Sequence, residues 1–328
     1  GLAGWIESNR LNPNFDAIPP LVAAPPTPDG RREAPQSFAQ QRLWFLSQLA
    51  PESPLYNTPG SMTLSGTLDL TALERALAEM VRRHESLRTT FGTRNDEPVQ
   101  FVAPAMPVDL PVVDLHSLPA GERQAEIRQL RQMAASQPFD LSHGPLIRFK
   151  LLILENQRQM LLMVMHHIVT DGWSMGVLRR ELSALYEAFR AGRPSPLPEP
   201  FIQYADFATW QRQWLSGEVL QKQLDYWKEK LDGAEHLELP TDRPRPAVPR
   251  YTSARQPFSI DPETTEKLRE LGQEEEASIF MILLAAFQHL LGRYSGQEDV
   301  VVGSPIANRT RTELERVIGF FVNTLVMR

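Results

Sequence analysis

Apolar side chains recur with the spacing of helices in some stretches of the chain and with the spacing of strands in others. An apolar residue at every third or fourth position lines one face of a helix, which can then pack on a core. Ser37 and Ser174 stand where they can cap two such helices. The predicted helices cover residues 37–49, 72–84, 121–136, 174–191, 204–231, 262–275 and 278–294.

Short apolar runs bounded by polar turns predict strands. The two strongest runs, 146–154 and 159–167, are separated by a polar turn and are predicted to pair with each other. Further strands are predicted at 61–68, 254–260, 299–303 and 319–328. This mixture of helices and strands predicts an α/β or α+β fold.

Two proline-rich stretches divide the chain. Residues 11–36 contain seven prolines and residues 194–200 contain four. Proline cannot donate to a sheet, and it disfavours helix in the residue before it. The domain organisation that follows is the tail of an upstream domain at 1–10, a semi-extended linker at 11–36, and two lobes at 37–195 and 196–328.

Composition excludes several classes of function. The chain has 328 residues, and its 34 Lys and Arg against 40 Asp and Glu give a net charge of −6. An acidic balance argues against nucleic-acid binding, which needs a basic face. The chain contains no cysteine, so disulfides, a thiolate nucleophile and Cys-ligated metal sites are excluded.

The sequence predicts no membrane contact. Its most apolar stretch, 279–291, is shorter than the roughly 20 residues of a membrane span and contains Gln288 and His289. We therefore expect a buried helix there. The N-terminal residues lack the basic start and long apolar stretch of a secretion signal, and the expected location is the cytoplasm.

Candidate chemistry is concentrated in the stretch MHHIVTDGWS, residues 165–174. Neighbouring side chains of a strand point to opposite faces, so His166 and His167 cannot do the same work. Asp171 follows beyond the strand end, and Gly172 permits a tight backbone turn there.

Spacing alone leaves three interpretations of this stretch open. The histidines can be buried and satisfied by hydrogen bonds, with Asp171 and Gly172 shaping a turn. Alternatively, His and Asp can bind a metal, although a motif such as HExxH and further ligands are not evident in the sequence. In the third interpretation one histidine is a general acid–base catalyst, and Asp171 holds the local structure.

The stretch resembles the HHxxxDG signature of condensation domains of nonribosomal peptide synthetases, in the chloramphenicol-acetyltransferase-like superfamily. The signature positions are occupied by His166, His167, Asp171 and Gly172. Stretches similar to the other family motifs occur in the family's order: SFAQQRLWFL at 37–46, RRHESLRTTF at 82–91, PFDLSHGPLIR at 138–148, YADFATW at 204–210 and VIGFFVNTLVMR at 317–328.

The resemblance implies an α/β fold of two chloramphenicol-acetyltransferase-like lobes in a V arrangement, with the second lobe incomplete because the family's last motifs do not occur. A tunnel between the lobes admits a donor acyl or peptidyl thioester from one side and an acceptor aminoacyl thioester from the other. Phosphopantetheine arms of carrier domains deliver both. The implied reaction is amide-bond formation, with no cofactor or metal bound to this chain.

The resemblance also implies roles for single residues. His167 is similar to the family's catalytic histidine, which accepts a proton from the attacking amine or positions that amine. His166 takes a structural role, and Asp171 pairs with Arg309 of the other lobe. Gly172 is expected to let the backbone approach the substrate. The residues expected along the tunnel are Ser174, Arg88, Asn323 and Thr324.

The implied partners are other domains of a synthetase. They are an upstream donor carrier domain, whose tail is expected at 1–10, a downstream acceptor carrier domain and an adenylation domain. The stretch RLWFLSQLAPESPLYNTP at 42–59 resembles the subclass that takes an L-configured donor. Two alternatives stay open, an epimerisation domain and a non-catalytic carrier-docking module of the same fold.

Overall fold

The computed structural model describes residues 18–25, 27, 29–155, 157–244 and 256–328. The described residues form two compact units: the first runs up to Gln221 and includes Ala307–Asn323, and the second comprises Lys222–Ile306 and Thr324–Arg328. The predicted upstream tail at 1–10 and part of the predicted linker lie outside the described residues. Arg309, which the sequence assigns to the second lobe, belongs to the first unit.

Helices and strands are mixed along the chain, as predicted. The helices are α1 (Phe38–Leu49), α2 (Leu70–Arg83), α3 (Ala120–Ser136), α4 (Gly172–Arg190), α5 (Tyr204–Trp214), α6 (Gly217–Lys230), α7 (Pro262–Glu274) and α8 (Ile279–Ser295). The strands are β1 (Arg32–Pro35), β2 (Asn57–Ser65), β3 (Thr89–Arg94), β4 (Glu97–Val102), β5 (Val112–Asp114), β6 (Ile147–Glu155), β7 (Arg158–His166), β8 (Val302–Ile306) and β9 (Asn323–Met327). The predicted α/β class is confirmed; the V arrangement stays a prediction.

The main sheet of the first unit has the strand order β2-β7-β6-β5. Strand β7 pairs antiparallel with β2 along its whole length, so His166 lies opposite Asn57. On its other side β7 pairs antiparallel with β6, and β5 adds a short parallel pairing opposite Leu151–Ile153. The register thus carries the predicted signature to the end of a central strand.

Both faces of this sheet are covered by helices. Alternate residues of β6 and β7, among them Phe149 and Met163, pack with the apolar faces of α2 and α4 in one core cluster. The intervening residues, such as Leu152, pack with α3, and Val164 packs with residues that include Leu43 of α1. Each fully buried side chain of this size contributes about 1.5–3 kcal/mol to stability. The strand that carries the histidines is therefore held from both sides.

Part of the predicted linker is packed on helix α5. Leu21 is buried, the Trp210 indole N–H donates to the carbonyl of Pro19 at 2.8 Å, and the Ala24 N–H donates to Asp206 at 2.9 Å. Strand β1, also within the predicted linker, pairs antiparallel with β4. A proline-rich stretch cannot form a full set of hydrogen bonds by itself, because proline has no backbone N–H. Here α5 and β4 supply the partners for its backbone groups.

Some predicted elements are corrected by the structure. Helix α4 is capped by Asp171, whose side chain accepts from the Ser174 N–H, and not by Ser174. The helical region predicted at 204–231 is interrupted at residues 215–216, just before Gly217, which has φ of 54°. The described residues of the strand predicted at 254–260 form no strand. Strands β1, β3, β4 and β5 were not predicted.

The second unit pairs β8 with β9 and contains α7 and α8. The prediction of a buried helix at 278–294 is wrong in its burial, since no residue of α8 is buried. The described part of this unit supplies a sheet of only two strands, which is too little to cover an apolar helix. Among the described residues no single helix is long and apolar enough to cross a membrane; α7 and α8 reach that length only as a pair bent by 107°.

Candidate active site

His166 is the last residue of β7, and its side chain is buried. Its Nδ1 accepts a hydrogen bond from the Ile168 N–H at 3.2 Å, and the rings of Tyr56 and Phe139 lie 6.1 Å and 6.3 Å from the imidazole between centroids. Burial, with a smaller effect from His167, lowers the pKa of His166 to about 4. The imidazole is therefore neutral at pH 7 and enclosed by aromatic side chains.

His167 lies in a short 3-10 turn after the strand and is half-buried. Its backbone N–H donates to the Tyr56 carbonyl at 2.8 Å, and its Nδ1 lies 2.8 Å from the carbonyl oxygen of Thr170. A carbonyl oxygen only accepts, so Nδ1 carries the hydrogen and the neutral ring keeps its lone pair on Nε2. The ring of Phe320 packs edge-on at 4.9 Å and fixes the imidazole plane.

Asp171 is completely buried at the start of α4. Its Oδ1 accepts from the backbone N–H of Ser174 at 2.8 Å and from the Ser174 hydroxyl at 2.7 Å. Its Oδ2 accepts from the Phe321 N–H at 3.0 Å. The carboxylate thus joins the helix start to a segment 150 residues later in the chain.

Arg309 forms a buried ion pair with Asp171. Its Nη2 lies 3.1 Å from Oδ1 of Asp171, and the side chain is 2% exposed. Its Nη1 donates to the carbonyls of Leu314 and Val317, and the guanidinium stacks at 4.0 Å on the ring of Phe321. Burial lowers the pKa of Arg309 and the Asp171 carboxylate opposes that shift. The contact expected from the resemblance is present, within one unit of the fold.

Ser174 belongs to the same buried network. Its hydroxyl oxygen lies 2.9 Å from Nη2 of Arg309, and it accepts from the Gly319 N–H at 3.1 Å. The residue is fully buried, and its hydroxyl hydrogen is shared between Asp171 and the Gly319 carbonyl. This corrects the prediction that Ser174 lines a tunnel, because its side chain faces the interior.

Tyr204 supports this network from helix α5. Its hydroxyl donates to the Phe320 carbonyl at 2.5 Å and lies 2.8 Å from the Ser37 hydroxyl. A Cβ added to Gly319 would lie 1.9 Å from the Tyr204 ring, so only glycine fits there. Three of the motif stretches, 37–46, 204–210 and 317–328, therefore meet beside the signature. Sequence reasoning assigned no role of its own to Tyr204; its position at the start of YADFATW was the available signal.

Gly172 is exposed at the first position of α4. Its φ is not in the left-handed region, and an added Cβ would meet no atom within 4 Å. Gly172 is predicted to permit a tight turn, but the observed backbone does not use the left-handed conformation that glycine allows. The open space beside it lies next to the backbone N–H groups at the start of a helix, where negative charge is favoured.

Arg88, Asn323 and Thr324 are the remaining residues that the sequence predicts along the tunnel. The guanidinium of Arg88 donates to the carbonyls of Ala103 and Gly30 and lies 4.0 Å from Glu85, a cluster without signature residues. Asn323 lines a cavity of about 300 Å³ together with Phe320, the ring that packs on His167. Thr324 lies in β9, in the second unit.

The described residues offer no ready metal site. In that part of the chain no three His, Asp or Glu side chains are grouped so that they could hold a metal ion. Nδ1 of His166 and Nδ1 of His167 are both engaged with backbone groups.

Comparison with known families identifies the class of this protein. A family described as "Condensation domain" matches residues 31–328, so the chain belongs to the condensation-domain family. The fold and the signature geometry agree with that assignment.

Proteins similar to this chain include subunits of nonribosomal peptide synthetases. The chain is 54% identical over 300 residues to one of the linear gramicidin synthase subunits of Brevibacillus parabrevis, covering 90% of this chain and 6% of that protein. The X-domain in its complex with OxyB from teicoplanin biosynthesis has a TM-score of 0.82 and 31% identity over 94% of this chain and 67% of the other. The first condensation domain of the CDA synthetase has a TM-score of 0.71 and 25% identity over 90% and 70%.

Proposed function

We propose that this chain catalyses amide-bond formation between a donor acyl or peptidyl thioester and an acceptor aminoacyl thioester. The observation that carries the proposal is the orientation of His167. Its Nδ1–H is committed to the Thr170 carbonyl, so the lone pair of Nε2 is the part of the ring that can meet a substrate.

The proposed reaction needs one histidine for its proton transfer. The acceptor amine attacks the thioester carbonyl carbon, a tetrahedral oxyanion forms, and its collapse breaks the C–S bond and expels the carrier thiolate. Nε2 of His167 takes the proton that the amine nitrogen must lose, and the thiolate receives a proton in return. A positioned base of this kind contributes about 10²–10⁴-fold in rate.

The start of α4 supplies a place for the oxyanion. Backbone N–H groups at a helix N-terminus favour negative charge. Gly172 leaves the approach open because it carries no side chain. The buried Asp171–Arg309 pair then acts as a support that holds the helix start and the 319–321 segment in place.

The proposed partners are parts of a synthetase. Carrier domains upstream and downstream would present the two thioesters on phosphopantetheine, and an adenylation domain would activate the amino acid. The support is the similarity to the linear gramicidin synthase relative, of which the chain covers 6%. We propose the cytoplasm as the site of this chemistry, as the sequence predicts, and an L-configured donor.

The test is single-turnover condensation with both carriers loaded, followed by mass spectrometry of the carrier-bound product. His167→Ala is expected to lower the rate by about 10²-fold or more, because the proton acceptor is lost. The control is His116→Ala, which removes an exposed imidazole. A rate for His167→Ala near that of the parent protein would exclude His167 from the mechanism.

A second candidate is a carrier- or protein-docking module without catalysis. It is favoured by one observation, since the similar X-domain was solved in a complex with OxyB. Tight binding of loaded carriers by the parent protein with no condensed product would support docking. The epimerisation alternative is separated by chiral analysis of the donor, whose configuration would be inverted before any amide forms.

A further inference from the structure

A cavity of about 730 Å³ lies in the first unit, away from the signature residues, none of which lines it. Its walls come from the end of α3, the segment 106–111 and strands β6 and β7. This volume is within the range of about 300–1,000 Å³ that is usual for ligand sites. Most of the lining is apolar, with Met106, Met133 and Phe149 among the contributors.

The cavity follows an unpaired edge of β6. Strand β5 covers that edge only opposite Leu151–Ile153, so the beginning of β6 has β7 on one side alone. The His166 N–H donates to the Leu146 carbonyl, so Leu146 and every second residue after it direct their backbone N–H and C=O groups toward β7. The residues between them, Ile147 and Phe149, direct these groups away from β7, toward the cavity that both residues line.

The two residues that carry these backbone groups, Ile147 and Phe149, are buried. Leu151, the next residue whose backbone groups point away from β7, donates its N–H to the Pro111 carbonyl. Among the described residues no comparable backbone partner is found for the N–H groups of Ile147 and Phe149. More than nine in ten buried backbone groups in proteins are paired. A ligand that supplies amide groups at strand spacing would pair these two.

The same edge carries positive charge. Arg148 and Lys150 alternate with Ile147 and Phe149, so both cations lie on the opposite face of the strand, beside the cavity. Arg148 donates to the carbonyls of Gln137 and Pro138 and has no carboxylate in ion-pair contact among the described residues.

Lys150 likewise forms no ion pair with any described carboxylate. Asp109 is the acidic residue in the lining. The cavity therefore has two cations against one carboxylate, and a partner with acidic side chains on that face would complement it.

We propose that this cavity binds an extended segment of a partner protein by strand addition to β6. The partner segment alternates apolar residues, which follow the face of Ile147 and Phe149, with acidic residues, which follow the face of Arg148 and Lys150. Strand addition of this kind takes its affinity from main-chain hydrogen bonds and its specificity from alternate side chains.

The first test uses a fluorescein-labelled hexapeptide in which valine alternates with glutamate, measured by fluorescence anisotropy against the intact chain. Saturable binding with a Kd below about 1 mM is expected. Two further peptides are methylated on the peptide nitrogens of all valines or of all glutamates. Only one alternate set of N–H groups can face β6, so one version is expected to bind at least about tenfold more weakly and the other within about twofold of the parent.

The second test reverses charge on the protein. Lys150→Glu is expected to lower the affinity for the valine–glutamate peptide by about tenfold and to raise the affinity for a valine–lysine peptide by a similar factor. The control is Arg158→Glu, which reverses an exposed charge on β7 outside the cavity lining and is expected to change neither affinity.

Three results would overturn the proposal. They are the absence of binding at about 1 mM peptide, equal weakening by both methylation patterns, and equal response to Lys150→Glu and Arg158→Glu. If the chain instead dimerises through this edge, light scattering will show a concentration-dependent dimer that Lys150→Glu disrupts, and a second copy replaces the partner segment. None of these measurements uses condensation activity, so the result is independent of the proposed reaction.

Discussion

The two adjacent histidines differ because the chain leaves the strand between them. His166 is the last residue of the β7 ladder, and its ring is enclosed by Phe139 and Tyr56. His167 begins a 3-10 turn that brings its Nδ1 back to the Thr170 carbonyl. One imidazole is therefore kept neutral by burial, and the other is oriented by a single backbone acceptor.

The burial of His166 predicts a stability that depends on pH. Its pKa is about 4 in the folded chain and near 6.5 when unfolded. Below pH 6.5 the unfolded chain binds a proton that the folded chain does not, so the free energy of unfolding decreases as pH falls from 6.5 toward 4. The loss at pH 5 is expected to be about 2 kcal/mol, measured by urea unfolding at pH 7 and pH 5.

The matched variants for this prediction are His166→Asn and His116→Asn. The asparagine oxygen at 166 can still accept from the Ile168 N–H but does not titrate, so the difference between the two pH values is expected to shrink by that amount. His116 is exposed, and its replacement should leave the difference as in the parent. An unchanged pH dependence in His166→Asn would contradict the assignment.

A substitution at Gly172 can test the approach of the substrate without disturbing the fold. An added methyl group meets no atom within 4 Å, so Gly172→Ala is expected to fold with unchanged or slightly higher melting temperature. If a thioester approaches the start of α4, the methyl group occupies its path, and condensation should fall by about tenfold or more. Gly121→Ala is the control, because Gly121 also lies in the first turn of a helix with open space around it. Equal activity of the two variants would remove the oxyanion role.

At the scale of elements, the start of α4 is held by contacts from distant parts of the chain. Asp171 caps the helix and also accepts from Phe321 and Arg309, while Tyr204 holds the Phe320 carbonyl. An acidic cap also suits the positive end of the helix dipole. Removing one partner of a buried ion pair lowers the free energy of unfolding by about 3–5 kcal/mol, because the other charge is left buried without its partner. The contacts around Asp171 are therefore expected to be lost together rather than one at a time.

The close contact of Gly319 with Tyr204 is the sharpest test of that support. Gly319→Ala places a methyl group 1.9 Å from the ring and is expected to lower the free energy of unfolding by about 3 kcal/mol, measured by urea unfolding. In a Tyr204→Ala background the same methyl group has room, so its added cost should be below about 1 kcal/mol. Additive losses in the double variant would show that the clash is relieved elsewhere.

Sequence patterns predicted the elements that have strong local signals. The apolar runs of β6 and β7 and the Ser37 cap of α1 are such cases, and both are confirmed. The β3–β4 hairpin was missed because β3 is largely polar and because a proline, Pro98, stands inside β4, although Asn95 and Asp96, both with positive φ, mark the turn.

Contacts between distant residues were less accessible to sequence reasoning. The pairing of Asp171 with Arg309 was reached only through the family resemblance, because no local pattern links residues 138 positions apart. The contact of Gly319 with Tyr204 and the buried place of Ser174 were not predicted, since both depend on tertiary packing. The apolarity of α8 was correctly read, but a pattern along one helix does not report what covers it.

At the scale of the whole molecule, the two units differ in how their helices are packed. Helix α4 buries Val177, Leu178 and Leu182 in the main core of the first unit. Helix α8, in the second unit, leaves Phe280 and Met281 51% and 56% exposed. Local unfolding free energies follow such differences in burial, so the two helices should respond differently to any probe of opening.

Hydrogen exchange of backbone amides measures this difference directly. Helices α4 and α8 have similar lengths, 19 and 17 residues, and each is capped by a side chain, Asp171 or Ser278, so capping and length do not separate them. Amides in the middle of α8 are expected to exchange at least about 100-fold faster than those of α4, which corresponds to about 2.7 kcal/mol in opening free energy. Mass spectrometry of peptides from both helices in one sample gives the comparison under identical conditions. Equal protection would mean that the apolar side chains of α8 are covered in solution, by self-association or by a bound molecule, and light scattering on the same sample distinguishes those two causes.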